Sequence, residues 1–198
     1  MILYIHGFNS SGFSETAEKV RNYFGKENVF TPTLPPSPKE AINILQNAYN
    51  SLVSEGNDVT VIGNSLGGFY ALYLHHLNDC RTILINPSVY PHKSLSKAVG
   101  KQKNYITGEE YEFKKEYIDE LIEIYNNFST IEHLNIYLHI FWSLKDELIS
   151  HSTTTLRAYP YAHTQTCCFN STHRFENLEY YLPTFKEISE GKHDYSKT

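Results

Sequence analysis

The fold of this chain is decided by the stretch Val59-Thr60-Val61-Ile62-Gly63-Asn64-Ser65-Leu66-Gly67-Gly68. A β-branched apolar run stops at Gly63, a single serine follows at Ser65, and an apolar helical pattern begins at once. This is the pattern of a nucleophile elbow, in which a strand turns sharply into a helix and presents a serine at the turn. Any side chain at Gly63 or Gly67 would collide with the neighbouring strand or helix. The pattern predicts a strand over residues 58–62 and a helix over residues 66–77.

The five-residue motif alone has a plain alternative, an ordinary tight turn. Glycine is common enough that roughly one chain of this size in fifteen carries G-x-S-x-G by chance. The sequence on both sides of Ser65 must therefore decide whether the motif is an elbow.

Length and composition indicate one globular domain. With 198 residues, 40% hydrophobic and 20% charged, the chain is long enough for a core of its own and short for two domains. We expect a single domain over residues 1–190 and a flexible polar tail over residues 191–198. The net charge of -5, without a Lys/Arg cluster, gives no reason to expect nucleic acid or an anionic membrane as a partner. Oligomeric state is left open.

The N-terminus and the cysteines favour a cytoplasmic protein. Residues 1–5 form only a strand-length apolar run, which predicts neither a secretory signal nor a membrane span. Cys80, Cys167 and Cys168 are an odd number without paired spacing, as expected in a reducing compartment.

Strand and helix patterns alternate along the chain. Ser14 and Gly25 bound one predicted helix, and Ser37 with Pro38 begins another. Further strands are predicted at residues 1–5, 29–31, 82–85, 136–142 and 164–169, and further helices at 114–127, 152–159 and 175–188, the last kinked or split by Pro183. The alternation predicts an α/β fold with a mostly parallel sheet and helices on both faces. Residues 91–133 are the least regular part, polar and without a period at 100–110, and are where a small cap could lie.

A serine nucleophile needs a base and an acid that orients the base. In elbow hydrolases the acid and then the histidine follow the serine along the chain. Asp146 comes directly after the strand predicted at 136–142, with Glu147 as the fallback. His173 follows the last predicted strand, directly before the closing helix. We therefore predict Ser65, Asp146 and His173 as catalytic residues.

Four other histidines compete with His173. His151 is too close to Asp146 in sequence for a separate loop, and His163 begins a strand, where its ring would pack. His193 lies in the predicted tail. His6 precedes the serine and fits a loop-shaping role better.

The oxyanion of an acyl-transfer intermediate needs preorganised donors. The amide of Leu66 stands at the start of the elbow helix, where the helix dipole favours an anion. The amide of Phe8, in the loop after the first strand, is the predicted second donor.

Metal and nucleotide chemistry find little support in the sequence. There is no H-E-x-x-H motif, and His75 and His76 are adjacent on a predicted helix and face different directions. No phosphate-binding glycine loop is present. We expect neither a metal nor another cofactor.

The sequence resembles the small YqiA-like and YcfP-like esterases of the α/β-hydrolase superfamily over most of its length. The resemblance is carried by the segments at residues 3–11, 34–38, 63–70, 86–87 (Asn-Pro), 107–108, 146–147 and 172–175. It implies a minimal hydrolase fold with little or no lid and activity on acyl esters, including acyl-CoA thioesters. The family's nucleophile, acid and base fall on Ser65, Asp146 and His173. Ser143 and Lys145 depart from the similar sequences, which often carry glycine in the acid loop.

Two classes of function follow from the sequence. The first is a serine esterase or thioesterase that acts on a small-molecule acyl ester or thioester through an acyl-enzyme. The second is a binding or scaffold protein with a vestigial triad, since YcfP-like relatives can lack the serine. The natural substrate is not predicted.

Overall fold

A computed structural model of the chain describes residues 1–128, 135–160 and 162–192. The strands are β1 (Ile2–Ile5), β2 (Val29–Phe30), β3 (Thr60–Asn64), β4 (Thr82–Ile85), β5 (Gly100–Lys103), β6 (Glu110–Phe113), β7 (Asn135–Ser143) and β8 (Ala162–Cys168). The helices are α1 (Glu15–Phe24), α2 (Pro38–Ser54), α3 (Leu66–Asn78), α4 (Pro91–Ser94), α5 (Lys115–Phe128), α6 (Thr155–Ala158) and α7 (Leu178–Ser189), with 3-10 turns at Lys26–Asn28 and Leu95–Ala98.

The central sheet is parallel, as the sequence predicts. Its strand order is β2-β1-β3-β4-β7-β8, and each neighbouring pair runs in the same direction. The register pairs Ile5 with Gly63, Asn64 with Ile85, and Ile85 with Phe141. The carboxyl ends of β1, β3, β4 and β7 therefore meet at one edge, where ligand sites lie in open α/β sheets.

Helices cover both faces of the sheet because successive strand residues point to opposite sides. Leu3 and Ile5 of β1 join the core beneath α2, α3 and α5, whereas Ile2 and Tyr4 join the core beneath α1 and α7. Strands buried on both faces explain the continuous apolar runs in the sequence.

The predicted helix caps are confirmed. The Ser14 side chain accepts a hydrogen bond from the amide of Ala17, and the Ser37 side chain accepts one from the amide of Glu40, with Pro38 in the first turn. Gly25 follows α1 with a φ of 90°, which the absence of a side chain permits. These local signals fixed where α1 and α2 begin.

Several predicted bounds differ from the structure. β3 begins at Thr60 and continues through Asn64, because Gly63 and Asn64 still pair with β1 and β4. The helix predicted at 152–159 is only the single turn of α6. Of the predicted kink or split at Pro183, the structure excludes the split, because α7 continues through this residue.

Residues 91–113 hold structure that the sequence did not predict, whereas α5 confirms the helix predicted at 114–127. β5 and β6 form an antiparallel hairpin that pairs Lys101 with Glu112 and Lys103 with Glu110. α5 then packs near α2, where Glu120 accepts hydrogen bonds from the Ser37 hydroxyl at 2.8 Å and from the Lys39 amide at 3.0 Å. Among the described residues, no helix is both long and apolar enough to cross a membrane.

Candidate active site

The turn between β3 and α3 has the geometry of a nucleophile elbow. Ser65 has a φ of 55° and a ψ of -118°, a conformation that non-glycine residues adopt only when the surroundings enforce it. A Cβ on Gly63 would overlap Gly67 and Ala71 of α3, and one on Gly67 would overlap the carbonyl oxygens at the end of β1. Both elbow glycines are thus required by close packing, as predicted.

The structure brings the three predicted triad residues together. His173 Nε2 lies 2.9 Å from Ser65 Oγ, and His173 Nδ1 lies 2.8 Å from Asp146 Oδ2. The imidazole is largely buried, with 15% of its side chain exposed, and the carboxylate is 1% exposed. The hydrogen bonds form one continuous chain from hydroxyl to carboxylate, which is the geometry that lets a histidine accept the serine proton.

Asp146 is held as a carboxylate. Burial alone raises its pKa, but hydrogen bonds from His151 and His173 and from the amide of Ile149 favour the charged form. Together they hold the pKa of the Asp146 carboxyl well below its usual range. Its second oxygen, Oδ1, accepts from the amides of Leu148 and Ile149 at 2.9 and 2.8 Å. Asp146 is therefore ionised and fixed in orientation at neutral pH.

His151 is a residue of the site that the sequence reasoning missed. Its Nε2 lies 2.8 Å from Asp146 Oδ2, the same oxygen that His173 contacts. Its Nδ1 lies 2.7 Å from the hydroxyl of Thr155, and the ring packs near Trp142. Because its Nδ1 has a hydroxyl as partner, His151 can donate to Asp146 from Nε2 while remaining neutral. The short sequence separation from Asp146 argued against His151 as the base, and nothing in the sequence indicated that its ring contacts the Asp146 carboxylate.

The remaining candidates lie outside the triad. Glu147 accepts a hydrogen bond from the backbone amide of His173 at 3.1 Å, so it contacts the main chain of the base and not its ring. His163 lies within β8 with its ring 5.4 Å from that of His139. His193 and most of the predicted tail fall outside the described residues.

The predicted oxyanion donors line a pocket beside the nucleophile. Phe8 and Leu66 both face a cavity of about 500 Å³ that is bounded by the first loop, residues 33–36, the start of α2 and the hairpin. Its charged side chains are Glu40 and Glu109. A Cβ at Gly7, which also lines the cavity, would lie 3.1 Å from Ser65 Cβ, so the wall formed by Gly7 lies beside the serine.

Two sets of contacts hold the loop that carries Phe8. His6 Nε2 accepts from the amide of Leu34 at 3.0 Å, and burial lowers the pKa of its imidazole, which favours the neutral ring this bond requires. On the other side, Asn9 donates to Gln102 at 2.9 Å and accepts from the hydroxyl of Tyr111. Burial raises the pKa of Tyr111 to about 12, so the hydroxyl keeps its proton. The loop is fixed from both sides.

Strained backbone is concentrated around the site. Among the described residues, the non-glycine residues with positive φ are Asn9, Ser65, Asp79, Asn86 and Phe175. All except Asp79 lie in loops at the carboxyl edge of the sheet. Such strain persists only where the surrounding contacts over-determine it, and it is common at functional sites.

No group of three or more His, Cys, Asp or Glu side chains in the described ranges is arranged to hold a metal ion. His151 and His173 both contact the single carboxylate of Asp146. The arrangement supports proton transfer and nucleophilic chemistry.

The parallel sheet, the elbow and the loop order define the class of the protein, which has an α/β-hydrolase fold. Within that class, the chain belongs to UPF0227, described as an uncharacterised protein family, whose match covers residues 1–190. This confirms the resemblance that the sequence motifs indicated.

A UPF0227 protein of Pasteurella multocida is 27% identical over 108 residues, which are 53% of this chain and 60% of that protein. One of Pectobacterium atrosepticum is 25% identical over 109 residues, 54% of this chain and 61% of that protein.

The alignments thus span about 60% of the length of these curated relatives. Solved structures match more completely. A structure from the metagenome-derived lipolytic enzymes LipS and LipT has a TM-score of 0.72 at 16% identity and covers 96% of this chain and 93% of that one. The monoacylglycerol lipase of Paleococcus ferrophilus has a TM-score of 0.69 at 14% identity, covering 97% of this chain and 94% of that one. At such identities the likeness concerns the fold.

Proposed function

We propose that this protein is a serine esterase that hydrolyses acyl esters through a covalent acyl-enzyme. The observation that carries the proposal is the hydrogen-bonded chain from Ser65 through His173 to Asp146, at 2.9 and 2.8 Å. A serine hydroxyl is a weak nucleophile near neutral pH, and a base within hydrogen-bond reach activates it.

In the proposed reaction Ser65 Oγ attacks the acyl carbonyl as His173 Nε2 takes the hydroxyl proton. Asp146 stabilises the resulting imidazolium and keeps Nδ1 as the donor. The amides of Leu66 and Phe8 bind the oxyanion. His173 then gives its proton to the leaving alcohol, and water attacks the acyl-enzyme with His173 acting again as base.

The pocket beside Phe8 and Leu66 is the proposed binding site for one side of the ester. In this proposal the β5–β6 hairpin serves as a small cap over the first loop. Glu40 and Glu109 line the pocket, and carboxylates there disfavour a phosphate-rich ligand such as coenzyme A. We therefore propose uncharged esters ahead of acyl-CoA thioesters as substrates.

The test is activity-based labelling combined with turnover. The purified protein should react with a fluorophosphonate and hydrolyse a short-chain aryl ester, and Ser65→Ala should lose both, with kcat reduced by several orders of magnitude, about 10³-fold or more. A series of esters and acyl-CoA thioesters of increasing chain length then tests the substrate class. Turnover by Ser65→Ala equal to that of the wild type would contradict the role proposed for Ser65. A folded wild-type protein that neither reacts with the fluorophosphonate nor hydrolyses the esters would favour a binding or scaffold role.

A further inference from the structure

The turn that follows β4 holds the backbone of the nucleophile on both sides. The amide of Ser65 donates to the carbonyl of Ile85 at 2.9 Å, and the amide of Ser88 donates to the carbonyl of Ser65 at 2.9 Å. Pro87 packs so closely on α3 that a Cβ at Gly68 would lie 2.8 Å from its ring. The position of Ser65 is therefore tied to residues 85–88.

Asn86 lies in this turn, between the residues that bind the backbone of Ser65, and its side chain is fully buried. Its Oδ1 accepts from the amide of Ser143 at 2.7 Å, and its Nδ2 donates to the Ser143 hydroxyl at 3.0 Å. Nδ2 also donates to the carbonyl oxygens of Thr172 and His173, at 3.0 and 3.2 Å. One amide group thus joins the start of the acid loop to the loop that carries the base.

We infer that Asn86 is a positioning residue that sets the distance between His173 and Ser65; the inference rests on the proposed esterase function. Asn86 touches none of the reacting atoms. Its neighbours on the chain bind the nucleophile's backbone while its amide binds the backbone of the base, so one rigid turn fixes both. A φ of 43° also suits asparagine, which tolerates the left-handed region better than most residues.

The alternative is that Asn86 only satisfies buried polar groups, as any buried amide must. A double-mutant cycle with His173 distinguishes a positioning role for Asn86 from a purely structural one. Asn86→Gly keeps the positive φ and removes the side chain. We expect it to lower kcat for an aryl ester by about 10- to 100-fold, the size of effect that a small misplacement of a catalytic group can cause, with KM unchanged within about twofold. In the His173→Ala background, Asn86→Gly should leave the residual kcat unchanged.

Two further variants sharpen the experiment. Asp79→Gly replaces another left-handed residue, at the end of α3, and should leave kcat unchanged. Asn86→Asp keeps the acceptor for Ser143 but has no amide hydrogens for the two carbonyl oxygens, so it should lower kcat at least as much as Asn86→Gly. It serves as the test variant if Asn86→Gly does not fold.

An equal loss of kcat from the Asn86 variants in both backgrounds, or wild-type kcat in a folded Asn86 variant, would overturn the inference and leave the esterase proposal standing. A crystal structure of the Asn86 variant gives a readout that does not depend on activity. We expect His173 Nε2 to have moved out of hydrogen-bond contact with Ser65 Oγ, and an unchanged contact would overturn the inference even if the wild-type protein had no esterase activity.

Discussion

Replacing His151 with phenylalanine removes one donor from the buried carboxylate of the site and leaves the rest in place. His151 is 2% exposed, and its Nε2 donates to Asp146 at 2.8 Å. Phenylalanine has a ring of similar size and keeps the packing beside Trp142. The change therefore isolates a hydrogen bond to a charged group.

The expected loss of stability has two sources, the hydrogen bond lost by Asp146 and the hydrogen bond lost by Thr155. A hydrogen bond to a charged group contributes about 1.5 to 3 kcal/mol. The hydroxyl of Thr155, which is fully buried, also loses its partner on Nδ1, at a cost of about 1 kcal/mol. We expect the free energy of unfolding of His151→Phe at pH 7 to fall by about 2.5 to 4 kcal/mol. For a chain of this length, that corresponds to a Tm lowered by about 5 to 15 °C.

The stability difference between the wild-type protein and His151→Phe should become smaller at low pH. The folded-state pKa of Asp146 lies below its unfolded value, so its contribution is fully present above the unfolded pKa of about 3.9 and is lost as pH falls through the folded pKa. Removing the His151 donor raises the folded pKa and shrinks this contribution. The stability gap between the wild-type protein and His151→Phe should therefore narrow as pH falls through the folded-state pKa of Asp146 in the variant, which lies between the wild-type folded value and the unfolded value of about 3.9.

Urea denaturation at pH 7 and at pH 3.5 measures both effects. His151→Gln is the control, because its amide can still donate to Asp146, and it should recover at least half of the lost stability. A His151→Phe protein within about 0.5 kcal/mol of the wild type, or a stability gap that widens on acidification, would contradict a stabilising hydrogen bond from His151 to Asp146.

Two further predictions concern the acid and the elbow. Under the proposed function, Asp146→Asn should lower kcat for an aryl ester by about 10³- to 10⁴-fold, because His173 loses the partner that fixes its tautomer. Steady-state kinetics check this, and a loss below tenfold would contradict the proposed role. Gly67→Ala should lower the Tm by about 10 °C or more, or prevent folding, since the new Cβ overlaps backbone carbonyl oxygens that cannot move aside. Gly56→Ala is the matched control in the same melting experiment: its Cβ meets no atom within 4 Å, so only the strain of its positive φ, about 1 kcal/mol, should appear.

The sequence predicted the parts of the fold that local chemistry determines. Apolar runs marked the buried strands, and Ser14 and Ser37 marked helix starts, because an N-cap needs only residues close in sequence. Asp146 and His173 could be predicted to lie near Ser65 because parallel strands bring the loops at their carboxyl ends to one edge. The two hydrogen bonds at that edge have the partners that chain order alone had indicated.

The parts that sequence reasoning missed depend on contacts without a period. His151 reaches Asp146 because residues 144–154 fold through irregular turns, where a separation of five residues carries no directional information. β5 has no apolar side chain, and β6 alternates glutamate with Tyr111 and Phe113 over only four residues, so the sequence pattern was too short to indicate a hairpin. Its opposite charges, Lys101 with Glu112 and Lys103 with Glu110, were the available clue, since cross-strand pairs of opposite charge favour pairing.

The contacts between the hairpin and the first loop limit how freely the hairpin can be exchanged between relatives. Tyr105 donates its amide to the carbonyl of Asn9 at 2.8 Å, and Asn104 donates to the carbonyl of Ser10 at 2.8 Å. A graft that replaced residues 100–113 to alter ligand choice would also remove the supports of the segment beside the serine. Under the proposed esterase function, a change at this boundary is expected to alter ligand choice and turnover together.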